Sequence, residues 1–166
     1  MADGGVAPVE AARTAQPADA EQCAQLCSKA LDSLQGQRGG ALFARRDAGL
    51  LAKALLRPGG LSRLLSDPRR RVLVGTVDDV VVGLAVGRVD PVGEASVGVM
   101  DAVYVDPGCR GKGVGHALLH ALVGWFEESG CRAVDAAVLP GDRETKNFFE
   151  GAGFKARLIT MHRPLR

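Results

Sequence analysis

The sequence Arg110-Gly111-Lys112-Gly113-Val114-Gly115 combines three alternate glycines with two cations, and His116 follows at once. It stands between an apolar run that reads as a strand and an amphipathic run that reads as a helix. Such a junction suits phosphate chemistry. Backbone N–H groups at a helix start lack intrahelical partners, and the helix dipole is positive there. Glycine lets an anion come close to those donors, and Arg110 and Lys112 add charge. Three phosphate motifs compete. A P-loop counted from Gly108 reaches Gly113 but then meets Val114 and Gly115 where Lys and Ser/Thr belong. A dinucleotide Gly-x-Gly-x-x-Gly fails from Gly111 at His116 and from Gly113 at Leu118. The pattern [Gln/Arg]-x-x-Gly-x-[Gly/Ala] is met in full by Arg110, Gly113 and Gly115, and a pyrophosphate is its simplest occupant.

Elsewhere the titratable residues offer less. His116 and His120 stand one helical turn apart, but Ala117 replaces the Glu of a His-Glu-x-x-His metal site and no third ligand is evident, so no metal is expected. Cys23, Cys27, Cys109 and Cys131 contain no Cys-x-x-Cys pair and read as reduced thiols. Arg69, Arg70 and Arg71 read as solvated charge before a strand. The formal charge of +2 is too small for a nucleic-acid surface, and 4% aromatic residues give no base-stacking platform. No run approaches about 18 apolar residues and no secretory start is visible, so a cytoplasmic protein without a membrane segment is expected.

The loop needs a frame, and 166 residues are enough for one domain with its own core. Residues 1–7 read as a flexible N-terminus and 8–166 as the domain. A strand is expected over 9–14, then a helix with Asp19 as N-cap and Cys23, Leu26, Ala30 and Leu31 on one face. A long helix over 41–56 and a short one over 61–65 follow. Strands over 71–77 and 80–89 form a hairpin about Asp78-Asp79, and 90–94 reads as loop. The run 95–105 is apolar on both faces, as in a covered central strand. A helix over 113–129 then leads to a strand at 133–139, a helix at 143–151 capped by Asp142, and a last strand at 155–162. The fold class is α/β in a mixed α+β arrangement: a mixed, mostly antiparallel central sheet with helices on both faces.

The passage from Val103 to Gly115 resembles the acyl-CoA loop of the GNAT superfamily of N-acyltransferases. Asn147-Phe148-Phe149-Glu150-Gly151-Ala152-Gly153-Phe154 is similar to that family's second motif, which usually reads Phe-Tyr-Glu-x-x-Gly-Phe. Residues 13–20 are similar to its usual opening. The resemblance implies acetyl-CoA, or a close acyl-CoA, as co-substrate and a primary amine on a small molecule or peptide as acceptor. Val103, Tyr104 and Val105 would lie along the pantetheine arm as strand-like backbone. The donors of Gly111, Lys112, Gly113, Val114 and Gly115 would hold the pyrophosphate beside Arg110, and His116 could reach a phosphate. The sheet would splay after Val105 at the acyl site.

Amine acylation needs a base, and Asp101 is the one carboxylate inside the central strand. Its parity with Val99, Val103 and Val105 puts it on their face. The family often has a Glu two residues earlier, where Val99 stands. A structural Asp at a bulge is the other reading. The family's usual thiol-protonating Tyr is matched by Phe149, which has no hydroxyl, and Tyr104 is expected on the opposite face from Asp101. Asp142 stands where an Asn commonly touches CoA. An acyl-CoA sensor without turnover is therefore the alternative to an enzyme. The loop over residues 36–44 would border the acceptor, and Arg38, Arg45 and Arg46 nearby read either as a hint of an anionic or carboxylate-bearing acceptor or as solvated helix arginines. A homodimer is a further expectation, because a C-terminal strand edge needs cover.

Overall fold

The computed structural model describes residues 10–165; the flexible stretch expected over 1–7, and Val9 at the head of the first strand, lie outside them. In chain order the elements are β1 (Glu10–Thr14), α1 (Ala20–Gln35), α2 (Gly40–Arg46), α3 (Gly49–Leu55), α4 (Gly60–Ser66), β2 (Arg70–Val77), β3 (Val80–Val92), β4 (Ala95–Val105), α5 (Val114–Glu128), β5 (Ala133–Ala136) and α6 (Arg143–Gly151). The five strands form one sheet in sequence order, antiparallel through β4, with β5 parallel to β4.

Two apolar layers sandwich the sheet. Cys23, Leu26, Leu55 and Leu61 from the early helices meet Val72, Val74, Leu84 and Val86 on one face. Leu118, Leu122, Trp125 and Phe126 of α5 meet Leu73, Ala85 and Met100 on the other. Alternation along β2 and β3 sends neighbouring residues into opposite layers. Beneath α5 the strands carry glycine. A Cβ at Gly83 would lie 2.9 Å from Leu118, one at Gly87 2.7 Å from Phe126, and one at Gly98 2.5 Å from Phe126. Those positions are bare because the helix rests directly on the backbone.

Several expected boundaries move. The long helix over 41–56 is two helices, because the Ala48 N–H leaves the helical ladder and shares the Phe43 carbonyl with the Asp47 N–H, each at 2.9 Å. The loop expected over 90–94 is a two-residue turn at Gly93-Glu94, and β3 continues to Val92. Pro91 is tolerated because β2 pairs no further along β3 than Arg88, so that edge needs no donor. Asp19 sits at the start of α1 without capping it. Its carboxylate takes Nη1 and Nη2 of Arg13 at 2.7 and 2.9 Å and the Gln16 N–H at 2.7 Å. That guanidinium holds the Asp19 carboxyl below the usual range.

The strand expected over 155–162 is not formed. These residues enter no ladder, and Leu158, Ile159 and Met161 are exposed. Arg157 ties the segment to β5 through Asp135, with Nε at 2.8 Å from Oδ1. A four-residue β5 paired with β4 offers little length for a further ladder.

Candidate active site

β4 changes face at Asp101. Val86 of β3 pairs with Ala102 and the next residue, Gly87, pairs with Met100, so Asp101 is the extra residue of a β-bulge. Met100 and Val103 consequently share the α5 layer, while Ala102 and Tyr104 share the other. Asp101 goes with the second pair. Its carboxylate is bonded by Nη1 of Arg88 and faces Nη1 of Arg70 at 3.4 Å. Those arginines alternate with Leu84 and Val86 on β3 and with Val72 and Val74 on β2, which places them on the α1–α4 face. Unbroken parity thus put Asp101 on the wrong face. It lies opposite Val103 and Val105, and on the same side as Tyr104.

The bulge also coincides with the opening of the sheet. β4 and β5 pair from Val97↔Ala133 to Met100↔Ala136 and then part. The splay begins at Asp101 rather than after Val105, and the strand expected to Leu139 ends at Ala136 because the following residues turn away to line a cavity. Val103, Tyr104 and Val105 are left with a free edge toward that space.

The glycine loop closes the same space. Gly113 is the N-cap of α5 at φ 86°, and Gly111 stands at φ 78°. A side chain is strained at such angles. Among the described residues, the N–H groups from Gly111 to His116 meet no backbone acceptor, and the first helical bond is Ala117 to Gly113 at 2.9 Å. These are free donors at a helix N-terminus, so the loop fits the pyrophosphate of CoA. Arg110 lies over the Tyr104 ring, 5.8 Å from its centroid. Its Nε donates to the Val105 carbonyl at 3.1 Å and its Nη1 reaches Glu144 at 3.5 Å. His116 is exposed, with its ring edge-on to Phe148 at 5.1 Å. Val114 is buried under the loop, and Lys112 is exposed away from the cavity wall.

The cavity holds about 830 Å³. Asp101, Val103, Tyr104, Val105 and Arg110 line it, as do Gly111, Gly113, Val114, Gly115 and His116. Asp142 and Phe149 complete the expected set. Asp142 caps α6, accepting the Thr145 N–H at 3.0 Å and its hydroxyl at 2.7 Å. Phe149 is buried, edge-on to Phe148 and Phe154, and offers no proton.

Gln37 and Phe43 fall in the stretch 36–44 expected to border the acceptor, while other lining and supporting groups escaped the sequence reading. Gln37, between α1 and α2, reaches Asp142 at 3.5 Å. Leu31, Leu34, Phe43 and Leu51 form an apolar wall. Lys29 of α1 pairs with Asp106 at the end of β4, which holds that carboxyl below its usual range and the amine above its own. Arg70 and Arg88 had no signal, since only the strand register brings residues 31 and 13 positions away onto Asp101. Burial pushes the Cys27 thiol up, and the fully buried Cys23 thiol up to about 12, so both stay protonated.

Known proteins share this fold. The family model for the acetyltransferase (GNAT) family matches residues 30–154. An aminoglycoside N(6')-acetyltransferase type 1 from Stenotrophomonas maltophilia is 29% identical over 113 residues, covering 63% of this chain and 74% of that protein. The aminoglycoside N-acetyltransferase AAC(6')-Iy in complex with CoA superposes with a TM-score of 0.74 at 17% identity, covering 100% of this chain and 99% of the other. Glucosamine-6-phosphate N-acetyltransferase from Arabidopsis thaliana superposes with a TM-score of 0.65 at 17% identity, over 95% of this chain and 99% of the other. A family match that begins in α1 and runs through the donor loop to Phe154 takes in nearly the whole wall of the cavity, and the chain belongs to the acetyltransferase (GNAT) family.

Proposed function

We propose that this acetyltransferase works on a small-molecule primary amine admitted along the α1–α4 face of the sheet, with Asp101 receiving the amine. As a GNAT enzyme it takes its acetyl group from acetyl-CoA and delivers it to an amine nitrogen. The observation that carries the reading is the continuity of the cavity, which runs from free N–H donors at the start of α5 to the carboxylate at the β4 bulge. Pyrophosphate would bind the N–H groups of residues 111–115, with Arg110 beside it. The open edge of β4 would take the pantetheine arm as an added strand.

The amine nitrogen attacks the thioester carbonyl carbon, a C–N bond forms, and the C–S bond breaks with its electron pair on sulfur. The nitrogen loses one proton and the sulfur gains one, so the products are an amide and CoA thiol. A carboxylate can accept about four hydrogen bonds. Asp101 therefore retains room for one N–H, or one water, beside its two arginines. Phe149 supplies no acid, but a thiol with an ordinary pKa of about 8.5 is a good enough leaving group to take its proton from water.

Asp101→Asn is the test. Thiol release with amine present should fall roughly 100-fold or more, the usual scale of lost general-base catalysis. The acetyl-CoA Kd, read by calorimetry, should stay unchanged. Full turnover in this variant would remove Asp101 from the mechanism.

A further inference from the structure

Resting on that reading, we infer that the acceptor is a primary amine carried on an apolar group, with no second cationic centre. The donor half of the cavity belongs to the glycine loop and α6. The remaining wall comes from α1, α2 and α3 and is apolar, built from Cys27, Leu31, Leu34, Phe43, Ala48 and Leu51. An acceptor buried there must present hydrocarbon or aromatic surface to match it.

The carboxylates on the cavity wall point the same way. Asp101 is held by Arg70 and Arg88. Asp142 stands at the head of α6, on the donor side, and caps that helix by accepting the Thr145 N–H and hydroxyl, with the Gln37 amide at 3.5 Å. Glu144 faces Arg110 on the donor side at 3.5 Å. Several ammonium groups would each need a carboxylate with capacity to spare, and burying an unpaired cation is costly. One ammonium meets what the acceptor side of the wall has left, which is the remaining capacity of Asp101 and one neutral acceptor. That acceptor is Oε1 of Gln37, buried and without a hydrogen-bond partner among the described residues. An N–H of the incoming amine would satisfy it. The apolar wall further favours the neutral amine over its ammonium form, which is the form that attacks.

The relatives named above include enzymes that acetylate aminoglycosides, which carry several amines, so the inference separates this chain from them. The experiment follows thiol release from acetyl-CoA with four probes: 2-phenylethylamine, n-hexylamine, spermine and kanamycin. The acetyl-CoA melting shift is recorded alongside. The two monoamines should exceed the two polyamines by at least about 100-fold in kcat/KM, the value of a well-matched apolar site against unpaired buried charge. Leu34→Asp places a carboxylate on the partly exposed wall. It should lower kcat/KM for phenylethylamine by about tenfold, raise that for spermine, and leave the acetyl-CoA melting shift intact. Polyamines turned over as well as or better than the monoamines would overturn the inference. So would turnover of none of the four while acetyl-CoA still raises the melting temperature. Absence of any acetyl-CoA shift would instead strike the donor-site reading beneath it.

Discussion

Replacing Gly113 with Ala adds one methyl group at the N-cap of α5, where φ is 86°. A side chain in that region costs about 1–2 kcal/mol. For a chain of this length the melting temperature should then fall by roughly 2–8 °C without ligand. The chain can relieve the strain only by rotating φ, which swings the peptide groups flanking Gly113 off the axis they share with the other free donors. Loss of one hydrogen bond to a charged phosphate costs about 1.5–3 kcal/mol, or roughly 10- to 150-fold in Kd. The ligand shift converts this into a second number. Acetyl-CoA at 100 times the wild-type Kd adds about 2.7 kcal/mol of stability to the wild type. It adds only about 1.4 kcal/mol if the variant binds tenfold more weakly, and about 0.4 if a hundredfold. Differential scanning fluorimetry with and without acetyl-CoA reads both quantities in one plate. A variant that melts lower alone yet keeps the full ligand shift would refute the assignment of these N–H groups to pyrophosphate.

Arg110→Ala should weaken acetyl-CoA by roughly 10- to 100-fold and flatten the salt dependence of its Kd, since one charge-assisted contact is lost; calorimetry at two ionic strengths reads both. Phe149→Tyr places a hydroxyl on the cavity wall beside Phe148, and if departure of the thiolate limits turnover, steady-state thiol release should quicken. Asp19→Asn should cost about 1 kcal/mol at pH 7, a modest value because Arg13 is well exposed. The Asp19 carboxyl is held low in the fold, so its stabilisation is complete above the unfolded value of about 3.9 and fades as pH falls through the lower folded value. The melting temperatures of wild type and variant should accordingly converge as the pH is taken below the unfolded value, and a gap independent of pH would contradict the ion pair. The strand edge from which a homodimer was expected is not formed, but Leu158 and Met161 lie exposed on that segment; if they join two chains, sedimentation velocity should give twice the 17.3 kDa monomer, and Leu158→Asp with Met161→Asp should return it to one.

The donor site was legible because its signal is local. Gly111, Gly113 and Arg110, the residues proposed to hold pyrophosphate, stand within a few residues of one another, and α5 announces itself through Val114, Leu118, Leu122 and Trp125. The acceptor site was not, because it is made by register. Whether Asp101 faces the early helices or α5 depends on one inserted residue in β4, and alternation counted along the chain passes over such an insertion. Arg70 and Arg88 become its partners only once β2, β3 and β4 lie side by side. The expected helix over 41–56 failed for a related reason. Arg46 and Ala48 flank Asp47 as good helix formers and the single Gly49 does not by itself end a helix, so the break shows only where the Ala48 N–H passes over Ala44 to share the Phe43 carbonyl with Asp47. The expected strand over 155–162 had residues that favour extended structure but no ladder to join.

The bare backbone beneath α5 sets a tolerance. Gly83, Gly87 and Gly98 touch no substrate in the reading above, yet they fix how far the helix stands off the sheet and hence where its first turn meets the β4 edge. Phe126, the side chain a Cβ at Gly87 or Gly98 would strike, is wholly buried and has nowhere to withdraw. A methyl group at Gly98, at the far end of α5 from the loop, would tilt the helix like a lever and displace its N-terminus, where a few tenths of an ångström decide a hydrogen bond. Homologues that drift at these small positions should therefore differ in affinity for acetyl-CoA while keeping every residue of the donor loop.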